Sequence, residues 1–238
     1  MKPKIHIQEV NKDNFNKLFL LAMDEYHRDK TKCLILLKEC ILISSDNSDI
    51  YYNLGTISSD LNNFDQSIKY LEKALEISPD NENIIYNLAN QLFRIGDTNK
   101  SIIYYERIIE SNLLAFDAIY NAGSIYLTIN KNYPKAISLF ERCIQINDTH
   151  LDSYFNLANS YYFDNNFKKA RDTYEKIIMM DKNNFLAYYK LSIVYKYLFA
   201  KNESLIILKK YIELSKGIIG QDIYRQDALK RIIEIENS

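Results

Sequence analysis

Residues that form turns are scarce in this chain. Its 238 residues include only 5 glycines and 3 prolines, whereas 47% are hydrophobic. This composition favours helices joined by short loops over strands joined by glycine- and proline-rich turns. No segment rich in glycine, proline or serine divides the sequence, so we predict an all-α protein without an internal linker.

An excess of charge of one sign is also lacking, since 30 Lys and Arg residues stand against 31 Asp and Glu residues. The net charge of -1 provides no basic field for phosphate groups, so we predict that nucleic acid is not a ligand. No uninterrupted run of about 18 apolar residues is present, and residues 1–12 lack the apolar core of a signal peptide. We therefore expect no membrane association and a cytoplasmic location, with a nuclear one left open.

Cysteine is rare, with three residues in the chain. Cys33 and Cys40 are seven residues apart on one predicted helix, which separates them by about 10 Å along its axis, too far for a disulfide. Cys143 lies in a different part of the chain. All three occupy positions where the sequence pattern calls for a small apolar side chain, so we predict reduced thiols that serve in packing.

Catalytic motifs are missing as well. The sequence contains no GxxxxGK, HExxH, GxSxG or CxxC motif, and its three histidines, His6, His27 and His150, are scattered. We predict no catalytic residue, no cofactor-binding residue, no metal site and hence no enzymatic activity.

What the chain does contain is a repeat. One apolar position that recurs in every repeat, here called the marker, is occupied by Leu20, Leu54, Leu88, Ala122, Leu157 and Leu191. Successive markers are 34, 34, 34, 35 and 34 residues apart. Around each marker the apolar residues recur with helical spacing, and the next position is small in five repeats: Gly55, Ala89, Gly123, Ala158 and Ser192. A small residue there predicts that two helix backbones approach closely.

A loop and a second helix follow the first helix in each repeat. The loops contain residues that tolerate a left-handed backbone, namely Asn62-Asn63, Gly96-Asp97, Asn130-Lys131-Asn132 and Asn165-Asn166. The second helix then repeats a small residue followed by aliphatic or aromatic ones, as in Ser67, Leu71, Ala74 and Ile77. Each repeat is therefore predicted to be a helical hairpin.

The repeat resembles the tetratricopeptide repeat (TPR), and the unit with Tyr51, Leu54, Gly55, Ser67, Leu71, Ala74 and Pro79 matches it well. The resemblance implies a right-handed α-α superhelix, or solenoid, of about six hairpins with a C-terminal capping helix. The predicted segments are a short N-terminal arm at 1–13, six repeat units at 14–47, 48–81, 82–115, 116–150, 151–184 and 185–216, and a linker with the capping helix at 217–238. We expect the capping helix to turn Ile223, Ala228, Leu229, Ile232 and Ile233 inward and Arg225, Lys230, Arg231 and Glu234 outward.

One position on the first helices carries amides, although asparagine in a helix interior costs about 0.6 kcal/mol relative to alanine. The residues at this position, which we call the ladder residues, are Asn53, Asn87, Asn121, Asn156 and Lys190. In the family this face lines the concave groove, and the row is similar to the Asn ladder in the repeat arm of O-GlcNAc transferase. The amides either bind the backbone of an extended peptide or only bridge adjacent helices.

Other residues flank the ladder. Asn90 and Asn159 lie three residues further along, and an aromatic row consists of Tyr52, Tyr86, Tyr120, Phe155 and Tyr189. This row predicts either helix packing or ligand contacts. An acidic column is formed by Asp49, Asp117 and Asp152, with Asn83 at the equivalent position. This column favours a neutral or basic peptide. The alternative explanation requires no ligand, because the helix dipole already stabilises a carboxylate in the first turn of a helix.

Two further patches are noted at the surface. The sixth unit replaces the polar groove residues with Leu186, Ile193 and Tyr197, which either anchor an apolar ligand side chain or are covered by the capping helix. A basic cluster of Lys168, Lys169, Arg171 and Lys176 is either a solvated helix face or a site for an acidic partner. The carboxylate clamp of co-chaperone repeats is not predicted, because Tyr52, Asp117 and Asn121 stand where its cations belong and only Lys190 fits.

These features predict a protein-interaction scaffold or adaptor, either a monomer or a component of a larger assembly, that binds an extended peptide in its groove. Two alternatives remain. The chain is a structural subunit that assembles through the ends of the array, or it is a regulatory or targeting arm of a separate enzyme such as a glycosyltransferase.

Overall fold

A computed structural model describes the backbone of residues 3–237 and the side chains of residues 14–237. The described part of the chain forms thirteen helices and no strand. Its contacts divide it into two compact halves, the first reaching to Leu113 and the second beginning at Leu114.

The first half contains three helical hairpins. They are formed by α1 (Pro3–Glu25) and α2 (Lys30–Ile43), α3 (Ser48–Asp60) and α4 (Phe64–Ile77), and α5 (Glu82–Arg94) and α6 (Thr98–Ser111). Because α1 begins at Pro3, the backbone of the predicted N-terminal arm is helical from that residue onward.

The second half contains three more hairpins and a last helix. They are α7 (Phe116–Thr128) and α8 (Tyr133–Ile146), α9 (Leu151–Phe163) and α10 (Phe167–Met180), α11 (Phe185–Tyr197) and α12 (Lys201–Leu214), followed by α13 (Asp222–Glu236). Each of the predicted repeat units from 48–81 to 185–216 holds one pair of helices. Within each half, successive helices pack against each other.

Side-chain caps and left-handed residues define the hairpins. An Asx cap opens helices such as α5, where the side chain of Asn81 accepts from the backbone N–H of Ile84, and α6, where Asp97 accepts from Lys100. The turns inside the hairpins place Asn62, Gly96, Lys131, Asn165 and Phe199 at positive φ. The first four lie in the loops where the sequence predicts this conformation, whereas Phe199 was not anticipated.

The close approach predicted from the small residues is present. A Cβ built on Gly55 would lie 2.7 Å from Leu71 Cγ, and one on Gly123 would lie 3.1 Å from the ring of Phe140. A serine in the second helix also donates to the backbone of the first, as Ser67 Oγ does to the Gly55 carbonyl at 2.7 Å. The pairs Ser101 with Ala89 and Ser204 with Ser192 repeat this bond.

The three cysteines are fully buried and free, which confirms the prediction that they are packing thiols. Burial raises the pKa of Cys33 and of Cys143 to about 11, so both thiols are protonated near neutral pH.

The prediction for the capping helix is only partly right. Ala228 and Ile232 of α13 are buried, but Ile223, Leu229 and Ile233 are 78%, 47% and 58% exposed. Arg231, expected to point outward, retains only 12% of its side-chain exposure, because its guanidinium donates to the Ser192 carbonyl at 2.8 Å.

A change of register explains these errors. Tyr189 OH donates to Asp227 Oδ2 at 3.0 Å, which places Asp227 beside Tyr189 as Asn156 is placed beside Tyr120. The helix α13 thus follows the pattern of the first helix of another hairpin. In this register Leu229 takes the position of Gly55 and Ala89, which face the second helix elsewhere, while Ile223 and Ile233 take the exposed positions of Asn83 and Phe93.

Candidate functional site

The candidate site is the surface of the first helices that carries the ladder residues, here called the ladder face. In the first half, Asn87 Nδ2 on α5 donates to the hydroxyl of Tyr52 on α3 at 2.9 Å. Asn53 Nδ2 instead donates to the carbonyl of Asp49 in its own helix at 2.7 Å. Asn87 therefore bridges two hairpins, whereas Asn53 does not.

The second half repeats the bridge. Asn156 Nδ2 on α9 donates to the hydroxyl of Tyr120 on α7 at 3.1 Å. Asn121 and Lys190 lie on the same face and are partly buried. Bridging between helices, one of the two roles the sequence left open, is thus observed at Asn87 and Asn156.

The bridge leaves part of each amide for other partners. It uses one of the two N–H groups, and among the described residues neither Asn87 nor Asn156 places its Oδ1 in a hydrogen bond. Each amide thus keeps one donor and one acceptor, the pair that a peptide group of an extended chain requires. The peptide-binding role of the ladder stays a prediction.

Asn90 and Asn159 belong to a different repeated bond. Tyr105 OH donates to Asn90 Oδ1 at 2.5 Å, and Tyr174 OH donates to Asn159 Oδ1 at 2.7 Å. Both tyrosines lie on second helices and are almost fully buried. Each of these two amides therefore connects the two helices of its own hairpin, and its Oδ1 already accepts a hydrogen bond.

The tyrosines beside the ladder serve in packing. Tyr52 packs against a cluster that includes Ile68, Leu71 and Leu88, while Tyr86 contacts Tyr105 edge-on at 6.0 Å. Tyr120 lies edge-on to Phe140 at 5.8 Å and to His150 at 5.4 Å. The hydroxyls of Tyr52 and Tyr120, rather than their ring faces, reach the ladder.

A polar cavity adjoins the ladder face of the first half. Its volume is about 380 Å³, and its lining includes Thr56, Ser59, Asp60, Asn87, Asn90 and Gln91. Ser59 Oγ donates to Gln91 Oε1 at 2.9 Å, while Asp60 accepts from Tyr26 OH at 3.1 Å and pairs with Lys30 at 2.7 Å. The cavity therefore brings two predicted site residues together with polar groups from the ends of α3 and α5.

Sequence reasoning missed Ser59, Asp60 and Gln91. The available signal was Gln91, which is 6% exposed and occupies a repeat position held by Ile57 in α3, Ile125 in α7, Ser160 in α9 and Val194 in α11. A large buried polar side chain at a position that is mainly apolar indicates a local hydrogen-bond requirement.

The acidic column occupies helix starts. Asp49, Asp117 and Asp152 are exposed and lie in the first turns of α3, α7 and α9, where the helix dipole already favours a carboxylate. Burial is the main cause that raises the pKa of Tyr120. The negative charge of Asp152 raises this pKa further, whereas the hydrogen bond from Asn156 lowers it.

At the C-terminal end the apolar patch is divided. Ile193 packs in a cluster with Tyr189, Tyr211, Ala228 and Ile232, so α13 covers that part. Leu186 and Tyr197 stay partly exposed, and Tyr197 stacks on Phe167 with ring centroids 4.7 Å apart.

In the basic cluster, Lys168, Lys169 and Lys176 are exposed, and Arg171 pairs with Asp172 at 2.6 Å.

We expect this protein to lose stability above pH 10. Burial raises the pKa of Tyr162 and of Tyr189 to about 12. The hydrogen bond with Tyr197 adds to this shift at Tyr162, and the hydrogen bond with Asp227 adds to it at Tyr189. An unfolded tyrosine titrates near 10. The folded state therefore retains these phenol protons longer, so their contribution is complete below pH 10 and is lost as the pH rises toward 12. Urea midpoints at pH 9, 10 and 11, measured together with tyrosinate absorbance at 295 nm, should fall mainly between pH 10 and 11, and the midpoint of Tyr189→Phe should fall less. A constant midpoint would contradict the assignment.

The paired helices, the close-approach positions and the repeated bridges together define an all-α helical-repeat protein. Three family models described as tetratricopeptide repeats match the chain, at residues 48–81, 70–103 and 127–192. The chain belongs to the tetratricopeptide repeat proteins, as the sequence predicts. Proteins of this kind are in general scaffolds for protein–protein interaction, typically without catalytic activity, and they bind proteins or peptides.

Two curated relatives are similar over different lengths. A TPR repeat-containing protein of Methanocaldococcus jannaschii is 25% identical across 92% of this chain, which corresponds to 41% of that protein. Human sperm-associated antigen 1 is 31% identical over 38% of this chain and 10% of its own length. The chain thus spans less than half the length of either relative.

Solved structures share the fold. MamA is 25% identical, covers 71% of this chain and 92% of its own, and has a TM-score of 0.67. YrrB, described as a TPR protein with an unusual peptide-binding site, is 16% identical over 82% of this chain and 97% of its own, with a TM-score of 0.71. These likenesses confirm an all-α superhelical repeat fold. No described helix is both long enough and apolar enough to cross a membrane.

Proposed function

We propose that this protein is a non-enzymatic scaffold that holds an extended segment of another protein along its ladder face. The observation that carries the proposal is the amide bridge that recurs from Asn87 to Tyr52 and from Asn156 to Tyr120. Each bridge fixes the side chain in one orientation and leaves a donor and an acceptor for a peptide group. A preorganised amide loses less conformational entropy on binding than a mobile one.

The surroundings favour a neutral or basic segment. Asp49 on α3 and Asp152 on α9 are exposed next to the ladder, and like charges across an interface disfavour an acidic ligand. In the first half, the polar cavity beside Asn87 and Asn90 offers space for a hydrogen-bonding side chain of that segment.

The test compares two kinds of variant that break the same bridge. The double variant Asn87→Ala and Asn156→Ala removes the amides, whereas Tyr52→Phe and Tyr120→Phe removes only the hydroxyls that orient them. Peptides selected on the native protein from a displayed random library serve as probes. We expect about tenfold weaker binding for the alanine variant and a change within about threefold for the phenylalanine variant, because only the former loses the groups that bind.

Circular dichroism must show that both variants are folded. If the native protein and both variants bound the selected peptides with equal affinity, the ladder residues would serve only to connect hairpins, and the proposed site would be rejected.

A structural subunit that assembles through its array ends is the second candidate, favoured by the exposed Ile223, Leu229 and Ile233 on α13. Light scattering over a range of concentrations distinguishes the two functions, because only the second requires a defined oligomer. A regulatory arm of a separate enzyme predicts instead that an enzyme co-purifies with the chain.

A further inference from the structure

The polar cavity of the first half is lined by a buried amide that is only partly satisfied. Gln91 on α5 is 6% exposed, which is unusual for a polar side chain. Its Oε1 accepts from Ser59 Oγ at 2.9 Å, but among the residues that the structure describes its Nε2 has no hydrogen-bond partner. Its two N–H groups are thus left for a molecule that enters the cavity. A buried NH₂ group without a partner costs free energy, so its presence indicates a ligand that completes it.

A second amide lines the same cavity with the opposite hydrogen-bonding group available. Asn87 lies one helical turn before Gln91, and residues four apart on a helix share a face with about 5–6 Å between their Cβ atoms. Its Nδ2 donates to the Tyr52 hydroxyl at 2.9 Å, whereas its Oδ1 has no partner in the described part of the chain. The cavity therefore combines donors from Gln91 with an acceptor from Asn87.

The charges in the lining oppose each other. Asp60 provides one carboxylate, which accepts from the Tyr26 hydroxyl and pairs with Lys30 at 2.7 Å. Arg94 provides one guanidinium, which lies 5.5 Å from the centroid of the Phe64 ring. Because Arg94 is exposed, water screens its charge. Hydrogen bonding at Gln91 and Asn87, rather than charge, therefore decides which side chain the cavity accepts.

A carboxamide matches this pair of groups. Its oxygen can accept from Gln91 Nε2 while its NH₂ group donates to Asn87 Oδ1. A carboxylate has no donor for Asn87, an ammonium or guanidinium group has no acceptor for Gln91, and an apolar side chain satisfies neither. A hydroxyl has its donor and its acceptor on one atom and spans a shorter distance. Glutamine and asparagine are thus the side chains that the cavity fits.

We propose that this cavity is a specificity pocket for the carboxamide of one glutamine or asparagine in the extended segment. The pocket depends on the proposed function, because the segment must lie along the ladder face for its side chain to enter. Gln91 Nε2 then acquires the acceptor that it lacks. Asn87 Oδ1 has two lone pairs, so it accepts from the peptide backbone and from the carboxamide at the same time.

The first test changes the ligand and leaves the protein native. Peptides are selected on the native protein from a displayed random library, and we expect them to share a glutamine or an asparagine at one position. Replacing a shared Gln with Met or Glu, or a shared Asn with Leu or Asp, should weaken binding about tenfold. These replacements keep the approximate size of the side chain but leave Gln91, Asn87 or both without the matching group.

The second test changes the protein. We expect Gln91→Met to remain folded, because Ile57 and Ile125 occupy the equivalent position in α3 and α7, and circular dichroism checks this. The variant should bind the carboxamide peptide about tenfold more weakly than the native protein does, and it should bind the apolar replacement peptide within about twofold of the carboxamide peptide. Gln66→Met is the matched control, since Gln66 is exposed on α4 outside the cavity lining, and it should discriminate between the peptides as the native protein does.

The outcomes separate the pocket from the ladder. If no peptide is enriched, or if the variant with Asn87→Ala and Asn156→Ala binds the selected peptides as tightly as the native protein, the proposed function fails and the pocket with it. If that variant binds them more weakly but they share no carboxamide residue, or if the native protein binds the replacement peptides equally well, the pocket alone is overturned. Equal discrimination by Gln91→Met and the native protein would also overturn it.

Discussion

Replacing Gly55 with valine is expected to destabilise the first half of the molecule by about 3 kcal/mol, at the upper end of the range for overpacking. The reason is the distance of 2.7 Å between a Cβ at this position and Leu71 Cγ, with Leu71 Cδ2 at 2.9 Å. Leu71 is fully buried and belongs to a cluster with Ile68, Leu88 and Leu92, so it cannot move away freely. Urea unfolding followed by circular dichroism measures the loss.

The matched control for Gly55→Val is Gly123→Ala. Its added Cβ would lie 3.1 Å from Phe140, and the better helix propensity of alanine, worth about 1 kcal/mol, offsets the tighter contact. Adding Leu71→Ala to Gly55→Val should destabilise less than the sum of the two single changes, because the truncated side chain relieves the overlap. Strict additivity would show that Leu71 is not the residue that valine displaces.

Replacing Phe140 with alanine is expected to destabilise the second half by about 3–5 kcal/mol, the usual range for a buried phenylalanine. Phe140 is fully buried on α8, lies edge-on to Tyr120 and approaches Gly123. Truncation leaves a cavity between α7 and α8 that a rigid backbone cannot fill. Thermal unfolding and urea unfolding should both report the loss.

Phe163→Ala serves as the control for Phe140, because that ring is 49% exposed and should cost only about 1 kcal/mol. Hydrogen exchange adds a spatial test. In a repeat array each unit contacts its neighbours, so faster exchange should be concentrated in α7, α8 and the adjacent α9. Uniformly faster exchange throughout the described helices would contradict this expectation.

Much of the fold could be predicted from the sequence because its signals are local and repeated. The period marked by Leu54 and Leu88, the small residue at Gly55 and the left-handed turn at Asn62 each indicate one step of the same hairpin. The structure places these residues as predicted, with Leu54 and Leu88 buried and Asn62 at φ +61°. Agreement among periodicity, packing and turn chemistry makes such a prediction strong.

The capping helix was less predictable because its register depends on tertiary contacts. Gly217 and Gly220 interrupt the 34-residue spacing, and apolar residues occur on more than one face of the helix that follows. Its orientation is fixed by the bonds from Tyr189 to Asp227 and from Arg231 to Ser192. No periodic pattern identifies these partners in advance.

The candidate site was predictable as a row but not as a set of bonds. The alignment of Asn87 and Asn156 follows from the repeat, whereas their bridges to Tyr52 and Tyr120 depend on how neighbouring hairpins pack. The left-handed Phe199 in the turn after α11 was missed because that turn lacks the Asn or Gly that marks the equivalent position at Asn62, Gly96 and Asn165.

The central claim is that the amides of Asn87 and Asn156 bind a peptide backbone, and side-chain amide NMR tests it most directly. The resonances of the two NH₂ groups are assigned by their absence in Asn87→Ala and Asn156→Ala and are then followed while a peptide selected on the native protein is added. We predict that at least one of them shifts on binding, because its free donor and its Oδ1 acquire partners from the peptide. Peptide binding that leaves both resonances unchanged would contradict the claim.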